Sequence, residues 1–450
     1  MNNLTWLNRS ARFKLRTFNI NPIWVTIAVC GSIILGTYNV AFSYMAFVLS
    51  VFSLFVLSPE DALAFMFFIM PFASIFKNVP GGTSFYTYLI FFYVAYNMLL
   101  NPKINKNFFI RFMFLGIYIV AQMFMSINLS RMIKFMTSFL LVYYALNADL
   151  KKDGKRILLY YIIAVILASL VSAFNIIPNL DEYIVRKALG GTEKTVIRFA
   201  GLYDDPNYYS INIIICLCLI VVLNNKKYLS NLSSVALAGG LLYFAVMTIS
   251  KSGFLMLFLP LTMLLYSKIK TKRYFVFVML LMATIVCLIA LAEGRLVFFD
   301  MILSRFRQDE DISDLTTGRT DIWVAYFKYL FENPRQLFVG GGINPKLLGG
   351  FFIGEKQYLM GPHNTYIDMV YYFGCIGMIF LILTLKSLFK YKKKKIPRNF
   401  LNYSVLLSIV IMSMFLSKLF TFDTPFQIIL AIIVMNIDFR DSKVEKKLKR

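Results

Sequence analysis

Tyr208-Tyr-Ser-Ile-Asn-Ile-Ile-Ile-Cys-Leu-Cys-Leu-Ile-Val-Val-Leu223 runs for sixteen residues without a charge, and Asn224-Asn225-Lys226-Lys227 closes it. Its polar residues do not alternate with apolar ones, so a half-buried strand is excluded. An uncharged run of this kind, ended by paired lysines, reads as a membrane-spanning helix with its lysines at the cytoplasmic surface. Similar apolar runs recur from residue 23 onward. The whole chain is 59% hydrophobic and only 16% charged. A soluble domain averages about a quarter charged. The fold class is therefore all-α, a polytopic integral membrane protein. A β-barrel would need period-two alternation, which these runs lack.

About fourteen spans of suitable length are expected: roughly 22–37, 40–57, 62–77, 84–100, 108–125, 131–147, 157–175, 208–223, 234–249, 252–267, 274–292, 365–387, 400–418 and 425–438. With the N-terminus in the cytoplasm, the inside segments hold 30 of the 47 Lys and Arg residues. Short outer loops hold five: Lys77, Arg131, Lys134, Lys251 and Lys418. That bias fixes the orientation and puts both termini inside. The first 21 residues, with Arg9, Arg12, Lys14 and Arg16, read as a retained cytoplasmic start with a short interfacial helix near Trp6 and Leu7.

The net charge of +24 is thus a topology signal and a contact with anionic membrane lipids, not a nucleic-acid footprint. The five cysteines all fall in apolar runs, with no CxxC, so neither disulfides nor structural zinc are expected.

Two outer segments are long, about 176–207 and 293–364. The second carries structure of its own. From Thr317 to Phe331 it reads as an amphipathic helix with Ile322, Trp323, Tyr326, Leu330 and Phe331 on one face, ended by Asn333-Pro334. Gly340-Gly341-Gly342 follows and reads as a turn.

Four features gather on the outer side. Arg198 and the pair Asp204 and Asp205 lie in RFAGLYDDPN (198–207), before the quoted run. Lys251 sits in a tight turn, Ile249-Ser250-Lys251-Ser252-Gly253. Arg319 opens the loop helix. His363, the sole histidine of the chain, precedes the span that starts near residue 365. Each alone reads as an interfacial side chain. Together they suit one substrate type. Arginine binds phosphate through two parallel charge-assisted bonds. A sugar diphosphate is a good leaving group that needs its developing charge neutralised. The attacking hydroxyl needs a base, and a neutral imidazole can serve. A glycosidase would instead require a close carboxylate pair. The run Asp309-Glu310-Asp311 reads as a solvated loop. Asp204, Asp205, Asn207, Asn364 and Tyr366 are candidates for orienting the cations or binding the acceptor. No metal site and no cofactor are expected.

The segments 198–207, TGRTDIWVAYFKYLFENPRQLFVGGG (317–342) and PHNTYIDMVYYFGCIG (362–377) resemble the O-antigen polymerase and O-antigen ligase family (Wzy/WaaL type). The resemblance covers residues 198–377. It implies transfer of glycans from undecaprenyl-diphosphate carriers, inverting and metal-independent, on a membrane-embedded (GT-C-like) glycosyltransferase architecture. It implies His363 as the catalytic residue and Arg198 and Arg319 as diphosphate-binding. Many members carry Ser-Arg where this chain has Ser250-Lys251, and lysine keeps the charge but loses the fork. Gly374 and Gly377 then serve close helix packing.

The domain reading is 1–197 N-terminal spans, 198–377 catalytic region with outer loop 293–364, and 378–450 C-terminal spans with a basic tail. The polymerase activity is preferred, with ligation to lipid A–core as the alternative. A transporter of lipid-linked oligosaccharide is disfavoured by sparse intramembrane charge. Expected partners are the undecaprenyl-diphosphate-linked oligosaccharide, membrane lipids, and a chain-length regulator or flippase. The expected location is the bacterial cytoplasmic membrane.

Overall fold

The computed structural model describes residues 22–80, 82–100, 104–123, 129–147, 150–178, 180, 188–189, 196–197, 199–203, 205–248, 250–268, 319–342, 351–353, 356–358, 361–390, 400–417, 421 and 423–436. These residues are helical apart from turns and two small antiparallel ribbons. The helices are α1 (Pro22–Gly36), α2 (Val40–Val56), α3 (Pro59–Ile69), α4 (Phe85–Leu100), α5 (Lys106–Met123), α6 (Leu129–Asn147), α7 (Leu150–Ala173), α8 (Pro206–Asn225), α9 (Asn231–Met247), α10 (Lys251–Lys268), α11 (Arg319–Glu332), α12 (Pro334–Val339), α13 (Thr365–Lys390), α14 (Phe400–Met412) and α15 (Asp423–Asn436). The ribbons pair β1 (Ala188–Leu189) with β2 (Val196–Ile197), and β3 (Phe351–Ile353) with β4 (Lys356–Tyr358).

Among the described residues, three stretches are long and apolar enough to cross a membrane: Gly154–Ala173, Pro206–Asn225 and Thr365–Leu388. Shorter apolar helices accompany them, among them α1, α2, α4, α9, α14 and most of α10 and α15. The expected span at 274–292 lies outside the described residues. The expected span at 62–77 is interrupted. α3 stops at Ile69, and Met70–Phe72 continues as a single 3₁₀ turn containing Pro71, which cannot donate to the helix ladder.

The chain divides into two compact units. The first comprises residues 1–105, 137–187 and 201–204. Its centre is α3, where every residue from Ala62 to Ile69 is buried. Ser58 caps the helix: its hydroxyl accepts from the Asp61 amide and donates to the Asp61 carboxylate. Arg156 at the start of α7 pairs with Asp61. The Tyr86 hydroxyl donates to the Met66 carbonyl at 2.9 Å, and the Tyr161 ring meets Phe67 edge-on.

The second unit comprises 106–136, 188–200 and 205–450. Its core is α8, the run quoted first, with most of its residues from Pro206 to Leu223 buried. Small residues let neighbours approach: a Cβ on Gly253 would lie 3.0 Å from Ser210, and Ser408 of α14 lies 3.6 Å from the Cys218 sulfur. Burial on all sides explains why this helix shows no polar stripe.

A second fixed point lies on α13. Gly374 takes φ 61° and breaks the helix. The break removes the amide donors of the Tyr371, Tyr372 and Phe373 carbonyls. Donors arrive from elsewhere: Gly341 N–H to Tyr371 at 2.9 Å, Gly342 N–H to Tyr372 at 3.1 Å, and the Tyr118 hydroxyl of α5 to Phe373 at 2.9 Å. So the triple glycine forms a close backbone pairing against α13. A Cβ on Gly340 would sit 2.4 Å from the Tyr372 carbonyl, and one on Gly374 would sit 2.5 Å from the Gly340 nitrogen. Tyr118 covers Gly377 with equal closeness, at 2.6 Å from a would-be Cβ.

Gly374→Ala should therefore be strongly destabilising. The left-handed backbone alone costs an alanine about 1–2 kcal/mol, before the clash. Gly239→Ala in α9, where nothing lies within 4 Å of the added carbon, should leave stability unchanged or slightly higher. Thermal unfolding midpoints in detergent check the contrast; equal midpoints for the two variants would refute it.

Candidate functional site

The site is built on five residues that follow α14. From Ser413 to Ser417 the chain turns out of the helix, and its carbonyls face neighbouring elements. Four of them find donors. The Thr365 amide donates to Ser413 at 2.8 Å, and the Thr365 hydroxyl donates to Leu416. The Arg319 guanidinium donates to Phe415 at 3.0 Å. The Tyr208 hydroxyl donates to Ser417. One turn earlier, Val410 accepts from the Tyr366 hydroxyl at 2.9 Å. The strip thus joins the start of α8, the start of α11 and the start of α13.

His363 stands just before α13. Its φ of 47° is left-handed, which is uncommon for a non-glycine residue and costs about 1–2 kcal/mol. The surroundings fix this shape on both sides. The preceding Pro362 carbonyl accepts from the Trp323 ring N–H of α11 at 2.8 Å. The following Asn364 caps α13, its side-chain oxygen accepting from the Tyr366 amide at 3.0 Å and the Ile367 amide at 3.3 Å. Asn364 is buried and His363 half-exposed. The helix carrying Arg319 and the loop carrying His363 are therefore tied together twice, through Trp323 and through the carbonyl strip.

Asp205 caps α8, accepting from the Asn207 amide at 2.7 Å. Burial pulls the Arg319 guanidinium below its ordinary range, and the nearby negative charge of Asp205 opposes the shift. An arginine remains cationic throughout. The result is a partly desolvated cation with one carboxylate nearby. Asn207 reaches the other way. Its side-chain oxygen accepts from the Ser250 hydroxyl at 2.7 Å, and Ser250 in turn accepts from the Gly253 amide at 3.1 Å. The turn bearing Lys251 is thereby fastened to the start of α8.

Of the residues expected from the sequence, Arg319 bonds the strip directly, His363, Asn364 and Tyr366 are chain neighbours of Thr365, which bonds it, and Asp205 and Asn207 are chain neighbours of Tyr208, which bonds it. Tyr366 serves it structurally, through Val410. Arg198, Asp204 and the side chain of Lys251 lie outside the described residues. Next to Arg198, the Phe199 amide donates to the Met247 carbonyl at 3.2 Å, and its ring stacks on Phe244 with centroids 5.4 Å apart. The backbone beside Arg198 is thus docked at the end of α9.

Several contributors were not expected. The charges of Asp423, Asp205, Asp368 and Arg319 all reach the Tyr208 hydroxyl. Asp368 is 4% exposed and Asp423 2% exposed. Gln427 of α15 donates to Asp423 and to Asn212 of α8, both at 2.9 Å. Asn212, Asp423 and Gln427 are polar residues inside or at the edge of apolar runs, where each is costly unless paired; that was the available signal. Carbonyl acceptors leave no mark in side-chain patterns, so the strip had none.

The face assigned to α11 needs one correction. Ile322, Tyr326 and Leu330 are buried together and Trp323 is half-buried, but Phe331 is 72% exposed. At 3.6 residues per turn Phe331 lies about 100° from Leu330, on a different face.

Fold and site together define a helical membrane protein whose candidate site lies where the ends of apolar helices meet a loop helix. Residues 234–382 match the family model described as O-antigen ligase. The resemblance to the O-antigen polymerase and ligase family stands on that segment, which holds Arg319, His363 and the Gly340–Gly374 contact. The match supports a glycosyltransferase-like function of the O-antigen ligase or polymerase type, acting on lipid-linked glycans in a bacterial membrane. No curated protein and no solved structure matches the chain.

Thr365→Val should remove the hydroxyl donor from the Leu416 carbonyl, at a cost of about 1–3 kcal/mol for the buried group left unpaired. Thr365→Ser should retain the bond. Unfolding midpoints and glycan-transfer assays on both variants check this, and a valine variant as stable and active as the serine one would discredit the strip.

Proposed function

We propose that this protein polymerises undecaprenyl-diphosphate-linked oligosaccharide repeat units on the outer face of the bacterial cytoplasmic membrane, by inversion and without a metal. The observation that carries the reading is the convergence of Arg319 and the His363 loop, both inside the segment that matches the O-antigen ligase model, on the Ser413–Ser417 carbonyls that lie beyond it. The architecture proposed with it has about fourteen spans in a GT-C-like arrangement. Its regions are 1–197, 198–377 and 378–450, with the catalytic chemistry in the middle one.

In this mechanism the imidazole of His363 takes the proton from an acceptor sugar hydroxyl as its oxygen attacks the anomeric carbon. Attack comes from the face opposite the diphosphate. The carbon–oxygen bond to the carrier breaks, and the lipid diphosphate leaves with the electron pair. Arg319, with Arg198 and Lys251, neutralises the charge that develops on it. Asp205 offsets part of the desolvation of Arg319 before substrate arrives, and the Phe415 carbonyl orients it. Asn207 keeps the Lys251 turn beside the start of α8. A chain-length regulator or flippase would act alongside.

Ligation of the glycan to lipid A–core is the second reading, favoured by the description of the matched family. It uses the same cations and base with another acceptor. Purified protein incubated with lipid-linked repeat units alone separates the two: a ladder of products is expected, whereas product only after addition of lipid A–core would select ligation. His363→Ala should lower transfer by roughly 10²–10⁴-fold while leaving protein level intact. Normal chain length in that variant would remove the base from the mechanism. Arg319→Lys should impair transfer more than Lys328→Arg does, because only the first change loses the two-pronged fork.

A further inference from the structure

We infer that residues 319–342 form a re-entrant segment lodged in the outer leaflet, with Val324, Phe327 and Phe331 of α11 in contact with lipid acyl chains. This rests on the outward orientation of the loop and not on the glycan-transfer reading.

The helix has three faces. Ile322, Tyr326 and Leu330 are buried, and the Tyr326 ring meets Tyr371 of α13 edge-on at 5.5 Å. Asp321, Lys328 and Glu332 share an exposed polar face, with Lys328 and Glu332 one turn apart at 4.0 Å. Between these faces stand Val324, Phe327 and Phe331, 64%, 49% and 72% exposed. At 3.6 residues per turn these three form one stripe, and Phe338 of α12 adds another exposed ring. A helix in water with protein on one side needs only two faces. A third, apolar and exposed, is what a helix in the membrane interface carries.

Depth follows from the contacts of α12. Its end meets α13 at Tyr372 to Gly374. These residues lie seven to nine positions beyond Thr365, roughly 10–14 Å along the helix axis. The Val339 carbonyl accepts from Tyr118 and Gln122, in the last turns of α5 near its outer end. An outer half-bilayer of hydrocarbon is about 15 Å thick, so the segment descends into it. Irregular backbone survives there only when its polar groups are paired and enclosed. Gly340, Gly341 and Gly342 are buried, and their amides donate to Gln336, Tyr371 and Tyr372. Below Gly374, α13 turns Ile376, Ile379 and Ile382 outward, continuing the apolar surface into the membrane. Exposed Lys328 and Arg335 suit the anionic headgroups above.

The test places the photocrosslinker benzoylphenylalanine at position 327 or 331, and at 332 as a control, in the full chain. The protein is reconstituted in vesicles of phosphatidylethanolamine and phosphatidylglycerol, irradiated and analysed by mass spectrometry. Phospholipid adducts are expected at 327 and 331 and not at 332. Crosslinks from 327 and 331 to the chain's own residues with no phospholipid adduct would overturn the proposal, because protein would then cover the stripe; β3 already lies beside α11, so protein adducts there that accompany lipid adducts leave it standing. Absence of any adduct, with the ketone left intact in water, would overturn it equally. As a variant that does not rely on the label, Phe327→Ser with Phe331→Ser should lower the unfolding midpoint less in vesicles than Tyr326→Ser does, since only Tyr326 faces protein. None of these readouts depends on glycan transfer, so their failure is distinguishable from failure of the enzymatic reading.

Discussion

A carbonyl enclosed by packed helices must find a donor within the protein, because apolar neighbours offer none. From this single constraint the candidate site takes its form. After α14 the chain leaves helical geometry, and Ser413, Phe415, Leu416 and Ser417 present carbonyls that no helix ladder serves. Thr365, Arg319 and Tyr208 serve them, and each of these residues opens a different helix. Satisfying the backbone thus draws three helix starts together, and with them the His363 loop and the Asp205 cap. Arg319 holds the strip through Phe415 and keeps a positive charge beside it. Arg319 is thus a part-buried cation whose desolvation a nearby carboxylate partly offsets.

The same constraint operates at Gly374. There a break in α13 releases three carbonyls, and the Gly340–Gly342 backbone with Tyr118 takes them up. Two irregular stretches therefore stabilise one another, each supplying what the other lacks. Glycine is required at both positions for the same reason: the two backbones lie closer than any side chain permits.

The apolar runs were readable because hydrocarbon thickness imposes their length and composition. Helix α11 was readable because its periodic apolar residues and Asn333-Pro334 stop follow from local chemistry. Arg319, His363 and Asp205 stand out in the sequence because charged or titratable groups are rare in this chain, and the structure adds the bonds that their segments make to the strip. What remained hidden has a common cause. Phe331 was assigned to the packed face since apolar character alone does not separate protein from lipid as the neighbour. The bonds of the carbonyl strip and those of Tyr118 and Gln122 to Val339 end on backbone carbonyls of distant segments, 221 and 217 residues away for the Val339 pair, and side-chain pattern carries no record of a carbonyl acceptor. Asp423 and Gln427 form a buried pair with Asn212 whose members look like isolated polar intrusions when read one at a time.

Tyr118 and Gln122 lie well before the family-matched region, while Tyr208, Asp205 and the carbonyl strip lie on either side of it. A chimera that transplants only 234–382 into a distant relative would carry Arg319 and His363 across but strand the Val339 carbonyl without its hydroxyl and amide hooks. It would also meet a foreign strip. Exchange of acceptor preference between such proteins is accordingly a problem of moving a scaffold assembled from four separate tracts of chain, and a graft succeeds only when α5 and the α14–α15 corner travel with the motif.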